Sequence, residues 1–354
     1  MNHTEILSKF NLPHAVVSCE PYGNGHINHT FLVKTDLGKR YILQGINTGV
    51  FKNPEELMSN IFKVTEHLSK RESDPRKVMR TVTLKDGSLL YYDGDMPFRM
   101  FDFVEGSLCL DKPECEDDFY ESGVAFGNFQ KMLGDFDASV LYETIPDFHN
   151  TEKRFAAFLE ALEKDVCGRA KNVQSEVDFI KSHESFYSVL RVANENGILP
   201  LRVTHNDTKI NNVLLDRDTR KALCVIDLDT IMPGFSVTDF GDAIRFGAST
   251  AAEDEKDLSK VDFDLSLFEV YAKGFISGCG EALGKDEIML FPEGAMMMTI
   301  ECGMRFLTDY LSGDTYFKTS YAEHNLDRTR TQLKLFAKME ENLDKMKDIV
   351  AKLV

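Results

Sequence analysis

The chain has 354 residues, more than one compact core needs and enough for two lobes. Apolar residues make up 43% and charged residues 28%, the balance of a folded globular chain rather than a disordered one. Lysine and arginine number 41 against 58 acidic residues, a net charge of −17 that argues against nucleic acid and anionic membranes as partners, and no apolar run is long enough to span a bilayer.

The N-terminus, Met1 to Leu7, lacks a basic stretch followed by an apolar one, so no secretion signal is expected. The seven cysteines are scattered, with no CxxC pair, and are read as free thiols of a cytoplasmic protein. The expected assembly is a monomer or a weak homodimer.

In chain order, short β-type runs come first: Val16 to Glu20, Thr30 to Thr35 and Arg40 to Gln44, separated by Gly-Asn-Gly and Leu-Gly-Lys turns. A helix follows over about Pro54 to Lys70, with Leu57, Ile61, Val64 and Leu68 on one face. A hairpin is expected from Val78–Leu84 and Leu89–Tyr92 around the turn Lys85-Asp86-Gly87-Ser88, then an extended run Phe98 to Val104. Beyond Gly106 helices dominate: Glu116 to Leu133, Lys153 to Lys164, and a C-terminal one with Phe336, Met339, Leu343, Met346, Val350 and Leu353 facing the body. Two strand pieces, Arg202 to Thr204 and Ala222 to Ile226, interrupt them. The expected fold is α+β: a bilobal, protein-kinase-like chain with a small strand-rich lobe over residues 1–104, ending in a hinge, and a large, mainly helical lobe over 105–354.

The chemistry concentrates in Thr204-His205-Asn206-Asp207-Thr208-Lys209-Ile210-Asn211-Asn212, which has the His-x-Asp-(x)4-Asn spacing of a kinase catalytic loop. Phosphoryl transfer needs a carboxylate to orient the attacking hydroxyl and take its proton, and cations to absorb charge on the phosphates. Asp207 suits the first task. Asn212, a neutral oxygen donor, suits metal binding without added repulsion, and Lys209 is placed to reach the transferred group. His205 is expected to orient the loop. The alternative reading of these residues is a polar turn before a strand. It weakens once Ala222 to Ile226 is seen to deliver Asp227 and Asp229, because a carboxylate at 227 can share Mg²⁺ with Asn212. Asp239-Phe240-Gly241 copies the metal-binding triplet of protein kinases but follows no apolar strand, so it reads as a helix start or a loop-support element rather than a metal ligand. In the Gly-rich stretch Pro21 to Asn28, Gly23 and Gly25 suit a phosphate-covering loop or equally an ordinary hairpin turn, and His26 and Asn28 could reach the acceptor from above.

These motifs resemble the aminoglycoside phosphotransferase and choline kinase-like family over most of the chain. Glu20 to Asn28, Ile226 to Gly234, Phe240 to Thr250 and Glu301 to Leu307 are similar, more narrowly, to kinases that phosphorylate the anomeric hydroxyl of N-acetylhexosamines. The resemblance implies ATP and Mg²⁺ as cofactors and a small sugar as acceptor. It implies Asp207 as base, Asn212 and Asp227 as metal ligands, and His26, Asp229, Arg305 and Tyr316 as sugar contacts. Backbone groups of the hinge, at Phe101 and Phe103, are implied to hold adenine. Many relatives carry a lysine or arginine on the third strand to grip the donor phosphates; here Gln44 stands there, so other groups must carry more of that charge. Kinases of homoserine, choline or aminoglycosides, and a nucleotide-binding scaffold without activity, remain the competing expectations.

Overall fold

The computed structural model describes residues 3–23 and 27–354. The N-terminal part comprises α1 (His3–Lys9), β1 (Val16–Pro21), β2 (His29–Thr35), β3 (Arg40–Gly45), α2 (Pro54–Ser69), β4 (Tyr91–Asp93) and β5 (Met96–Asp102). Its strands form one antiparallel sheet in the order β1-β2-β3-β5-β4. Alternation along β3 buries Tyr41, Leu43 and Gly45 and leaves the residues between them half-buried, as expected of a sheet with one core face. Helix α2 starts at Pro54, whose missing N–H costs nothing in a first turn, and buries Leu57, Ile61, Val64 and Leu68.

The expected hairpin over 78–92 does not form. Its turn does, with Gly87 N–H donating to Leu84 O, but the 80–82 segment bonds instead to β5, through Val82 N to Met100 O and Asp102 N to Arg80 O. β3 holds one edge of β5; on the other, β4 pairs with Met96 to Phe98 across the Asp93-Gly94-Asp95 turn and the 80–82 segment continues that edge, so the apolar residues of 78–84 line a β5 edge rather than a hairpin arm.

The larger part continues with β6 (Ser107–Cys109), α3 (Glu116–Met132), α4 (Thr151–Lys164), α5 (Gln174–Ser182), α6 (Val189–Glu195), β7 (Arg202–Thr204), β8 (Val213–Asp216), β9 (Ala222–Val225), β10 (Met232–Gly234), α7 (Ser236–Gly247), α8 (Leu265–Cys279), α9 (Lys285–Ile288), α10 (Phe291–Leu311), α11 (His324–Glu341) and α12 (Leu343–Leu353). The C-terminal stripe is shared by α11 and α12, which break at Asn342; Phe336, Met339, Met346 and Val350 are buried against the body. Helices α3 and α8 cross backbone to backbone. A Cβ on Gly127 would overlap the carbonyl of Phe275, and one on Gly274 the carbonyl of Tyr120, so these glycines set how closely the helices approach. Among the described residues no helix is long and apolar enough to cross a membrane.

One apolar cluster spans both parts. It joins Leu57, Ile61 and Val64 of α2, Phe101 of β5, Phe129 of α3, Val203 of β7, and Leu228 and Ile231 beyond β9. The catalytic-loop region lies against this seam.

Candidate active site

The catalytic loop runs from β7 to β8, and α7 holds it from beneath. Asp239, in the first turn of α7, accepts the backbone N–H of His205 (2.9 Å) and of Asn206 (2.8 Å), and the Gln130 side-chain amide of α3 (3.0 Å). One turn on, Asp242 accepts the Thr208 N–H (3.2 Å) and is itself paired with buried Arg245 (3.0 Å). The expectation of a loop-supporting role for Asp239 therefore holds. His205 is fully buried: its Nε2 meets Ile226 O at 2.8 Å and its Nδ1 accepts the Asp207 N–H at 3.3 Å. Asn206 adopts φ 65°, a left-handed conformation that asparagine tolerates, and its amide donates to Thr230 O at 2.8 Å. Each of these bonds fixes the backbone on either side of Asp207.

Asp207 is only partly covered. Its Oδ1 lies 2.7 Å from Lys209 Nζ, and its Oδ2 accepts the Asn212 amide at 3.1 Å. That same amide also donates to Asp207 O at 2.8 Å, which leaves Asn212 Oδ1 uncommitted among the described residues. Burial opposes the charge on Lys209, but Asp207 and Asp242 outweigh it and raise its pKa, so Lys209 is held as a cation.

Asp227 follows β9. Antiparallel pairing sets Val225 against Val213, and Ile226 N–H donates to Asn212 O at 2.9 Å, so Asp227 emerges beside Asn212. It too is left-handed, at φ 58°. Its carboxylate opens onto the cleft and receives no hydrogen bond among the described residues. Its depth in the protein, with Asp229 and Asp207 nearby, raises its pKa to about 7 against the opposing charges of Arg99 and Lys209. Among the described residues no three His, Cys, Asp or Glu side chains cluster as a metal site. The donors present are one unpartnered carboxylate and one amide oxygen. Hard oxygen donors in that small number fit a Mg²⁺ ion that draws its remaining ligands from phosphate and water.

Asp229 is turned the other way. Arg99 of β5 grips it with Nη1 at 2.6 Å from Oδ1 and Nη2 at 2.8 Å from Oδ2, and Asn28 donates to Oδ2 at 2.7 Å. Gln44 does not face the cleft alone: its Oε1 accepts Arg99 Nε–H at 3.0 Å and its amide donates to Thr30 Oγ1 at 3.1 Å. Arg99 escaped the sequence reading, although a single charge inside the apolar run Met96 to Phe101 was the available signal.

Further along the cleft, Arg305 of α10 lies over the rings of Phe148 (5.3 Å) and Phe317 (5.7 Å), with no carboxylate in ion-pair reach among the described residues. Arg154 of α4 faces it and donates to Phe148 O at 3.0 Å. Burial and the nearby Arg305 charge lower the Arg154 pKa. Between this pair and the catalytic loop, Glu301 is bound by His149 (2.9 Å), whose Nε2 lies 3.4 Å from Asn206 O. Tyr316 is 65% exposed and sits edge-on to Phe317. Arg154 and His149 had no motif to mark them; Glu301 opens the Glu301–Leu307 stretch, but the resemblance assigns it no role.

At the hinge, Phe101 is buried and Phe103 N–H donates to Arg40 O at 3.2 Å, so that group is not free for adenine. The Phe103 ring lies 4.0 Å beneath the Arg40 guanidinium and edge-on to Tyr22. Gly23 has φ 76°, as a tight turn requires. The expected contacts Gly25 and His26 lie outside the described residues.

A sheet-bearing N-terminal part joined to a larger helical part, with an Asp-Lys-Asn loop facing a strand-end aspartate, defines a kinase-like fold. The pattern of the phosphotransferase enzyme family (APH) matches residues 18–265, and the chain belongs to that family. Solved structures agree in fold. A microcompartment-associated aminopropanol kinase is 16% identical, with 98% of each chain covered and a TM-score of 0.61. An aminoglycoside phosphotransferase from Alicyclobacillus acidocaldarius is 12% identical, with 98% of this chain and 95% of that one covered and a TM-score of 0.66. A choline kinase from Cryptosporidium parvum is 14% identical, with 97% of each covered and a TM-score of 0.56.

Proposed function

We propose that this phosphotransferase is an N-acetylhexosamine 1-kinase, moving the γ-phosphoryl group of ATP to the anomeric hydroxyl of N-acetylglucosamine or N-acetylgalactosamine in the cytoplasm. The observation that carries the choice of acceptor is the Arg154–Arg305 pair. Two guanidinium groups that have no carboxylate in ion-pair reach among the described residues, beside the catalytic loop, raise the energy of a cationic acceptor. They suit a neutral molecule rich in hydroxyls, and the rings of Phe148 and Phe317 suit its apolar face. The solved structures named for aminopropanol, choline and aminoglycosides motivate the second reading, an amino-bearing acceptor. The arginine pair weighs against it.

In this reading Asp207 accepts a hydrogen bond from the anomeric hydroxyl and takes its proton. The sugar oxygen then bonds to the γ-phosphorus while the bond to the bridging oxygen of ADP breaks. An anomeric hydroxyl is more acidic than an ordinary alcohol, so an unexceptional carboxylate is an adequate base. Lys209, held cationic, offsets negative charge at the transferred group. Asn212 and Asp227 would hold Mg²⁺, which supplies charge neutralisation at the phosphates when bound. Arg305, Tyr316, Asp229 and His26 contact the sugar, with Asp229 doing so while still gripped by Arg99. Gly23, Gly25 and the hinge at Phe101 and Phe103 shape the nucleotide site.

Phosphorus and proton NMR of the product from ATP and N-acetylglucosamine tests this. Phosphate on carbon 1 is expected; phosphate on carbon 6, or turnover of choline-type acceptors alone, overturns it.

A further inference from the structure

The short turn Leu228–Thr230, directly after Asp227, belongs by sequence to the larger part and is held from both sides: Thr230 bonds to the catalytic loop, accepting from the Asn206 amide at 2.8 Å and donating to His205 O at 2.6 Å, while the residues around it are held by the smaller part. Leu228 and Ile231 sit in the apolar cluster to which α2 contributes Leu57, Met58, Ile61, Val64 and Leu68 and β5 Phe101, alongside Phe129, Leu133 and Val203 of the larger part. Asn60, fully buried on α2, donates to Ile231 O at 3.0 Å. Asp229 is gripped by Arg99 and by Asn28, while Asn28 Oδ1 accepts Asn47 N–H at 3.1 Å. Arg99 is itself 1% exposed, registered opposite Gln44 across β3 and β5, with Met58 Sδ 3.8 Å from its Nη1. Nε and Nη2 are hydrogen-bonded, Nη1 lies against Asp229 Oδ1, and the burial of the whole group turns it away from a phosphate in the cleft.

We infer that Arg99 is a positioning residue: through its contacts with both oxygens of Asp229 it fixes the turn that presents Asp227, so the N-terminal sheet, together with the catalytic loop, sets the metal-ligand carboxylate. The cation missing from the third strand has a counterpart one strand over, facing a carboxylate of the opposite lobe instead of the nucleotide. A fork-on-carboxylate pair fixes orientation as well as distance, which a lysine's point charge does not. Arg99 also places a positive charge among Asp207, Asp227 and Asp229, which would otherwise repel one another.

The test is Arg99→Lys, which keeps the charge and loses the fork. Hydrogen exchange in the ligand-free protein is the readout that does not depend on metal, acceptor or turnover. Amides of Leu228 to Ile231 are expected to exchange at least about tenfold faster, the loss expected for a charged hydrogen bond. In turnover assays with whichever acceptor is used, half-saturating Mg²⁺ rises about tenfold while the acceptor KM stays within about twofold. Unchanged exchange with an altered ATP KM overturns the inference and makes Arg99 a phosphate-binding cation; unchanged exchange and turnover overturn it outright. If Arg99→Lys does not fold, Gln44→Met removes only the Nε partner, and the same amides must loosen there. The inference rests on Asp227 as metal ligand but not on the sugar, so a wrong acceptor leaves the exchange result intact.

Discussion

Asp227 and Asp239 are both carboxylates largely surrounded by protein, Asp227 on the wall of the cleft and Asp239 in the interior, and in both cases lost hydration raises the pKa. Their surroundings differ. Asp239 accepts two backbone N–H groups and a glutamine amide, and its charge organises the catalytic loop. Asp227 accepts none of these, faces two other carboxylates and opens onto the cleft. The lesson is that an aspartate's role follows from what satisfies it: the bonded one is structural, and the unsatisfied one is available to a cation. The triplet Asp-Phe-Gly misleads here because letters do not report hydrogen bonds.

That contrast can be broken by experiment. The open carboxylates should carry activity: Asp207→Asn is expected to lower turnover by on the order of 10²–10⁴, measured as ADP release, with folding intact. Near-normal turnover would remove Asp207 from the base role. Asp239→Asn should instead act on stability, losing about 2–3 kcal/mol in chemical denaturation because charged hydrogen bonds are lost and an amide meets backbone donors. If it costs activity alone, Asp239 is not the structural partner described. The raised pKa of Asp227 gives a third test. Only the deprotonated carboxylate binds a cation, so Mg²⁺ affinity should fall about tenfold per pH unit below about 7, where an ordinary aspartate would hold affinity down to about 4. An affinity flat from pH 8 to 5 contradicts the crowding of carboxylates. The smallest effect is on Asp227→Asn, whose stability should be unchanged or up to about 1 kcal/mol higher, since it relieves repulsion while removing a ligand.

Much of this was legible in the sequence, and the boundary is physical. That Asp207, Asn212 and Asp227 come together was readable because their spacing is fixed by local loop and strand geometry. The hinge strand and the main helices were readable from periodicity. The 78–92 hairpin was misread because its turn forms while its arms pair elsewhere, a choice made by β5 and not by the local chain. Arg99, Arg154 and His149 draw their meaning from partners more than a hundred residues away, so the lone charge within Met96 to Phe101 is the only trace the local chain gives of any of them.

The glycine crossing of α3 and α8 has a consequence for how this enzyme tolerates change. With no side chains between the two backbones, there is nothing at the crossing that can adjust its rotamer to absorb an extra methyl. One turn beyond Gly127, Gln130 anchors Asp239 and through it the catalytic loop. A displacement at that remote contact would therefore be conveyed to Asp207 as a rigid shift of the whole helix, so substitutions at the crossing are felt as lost turnover by a site they never touch.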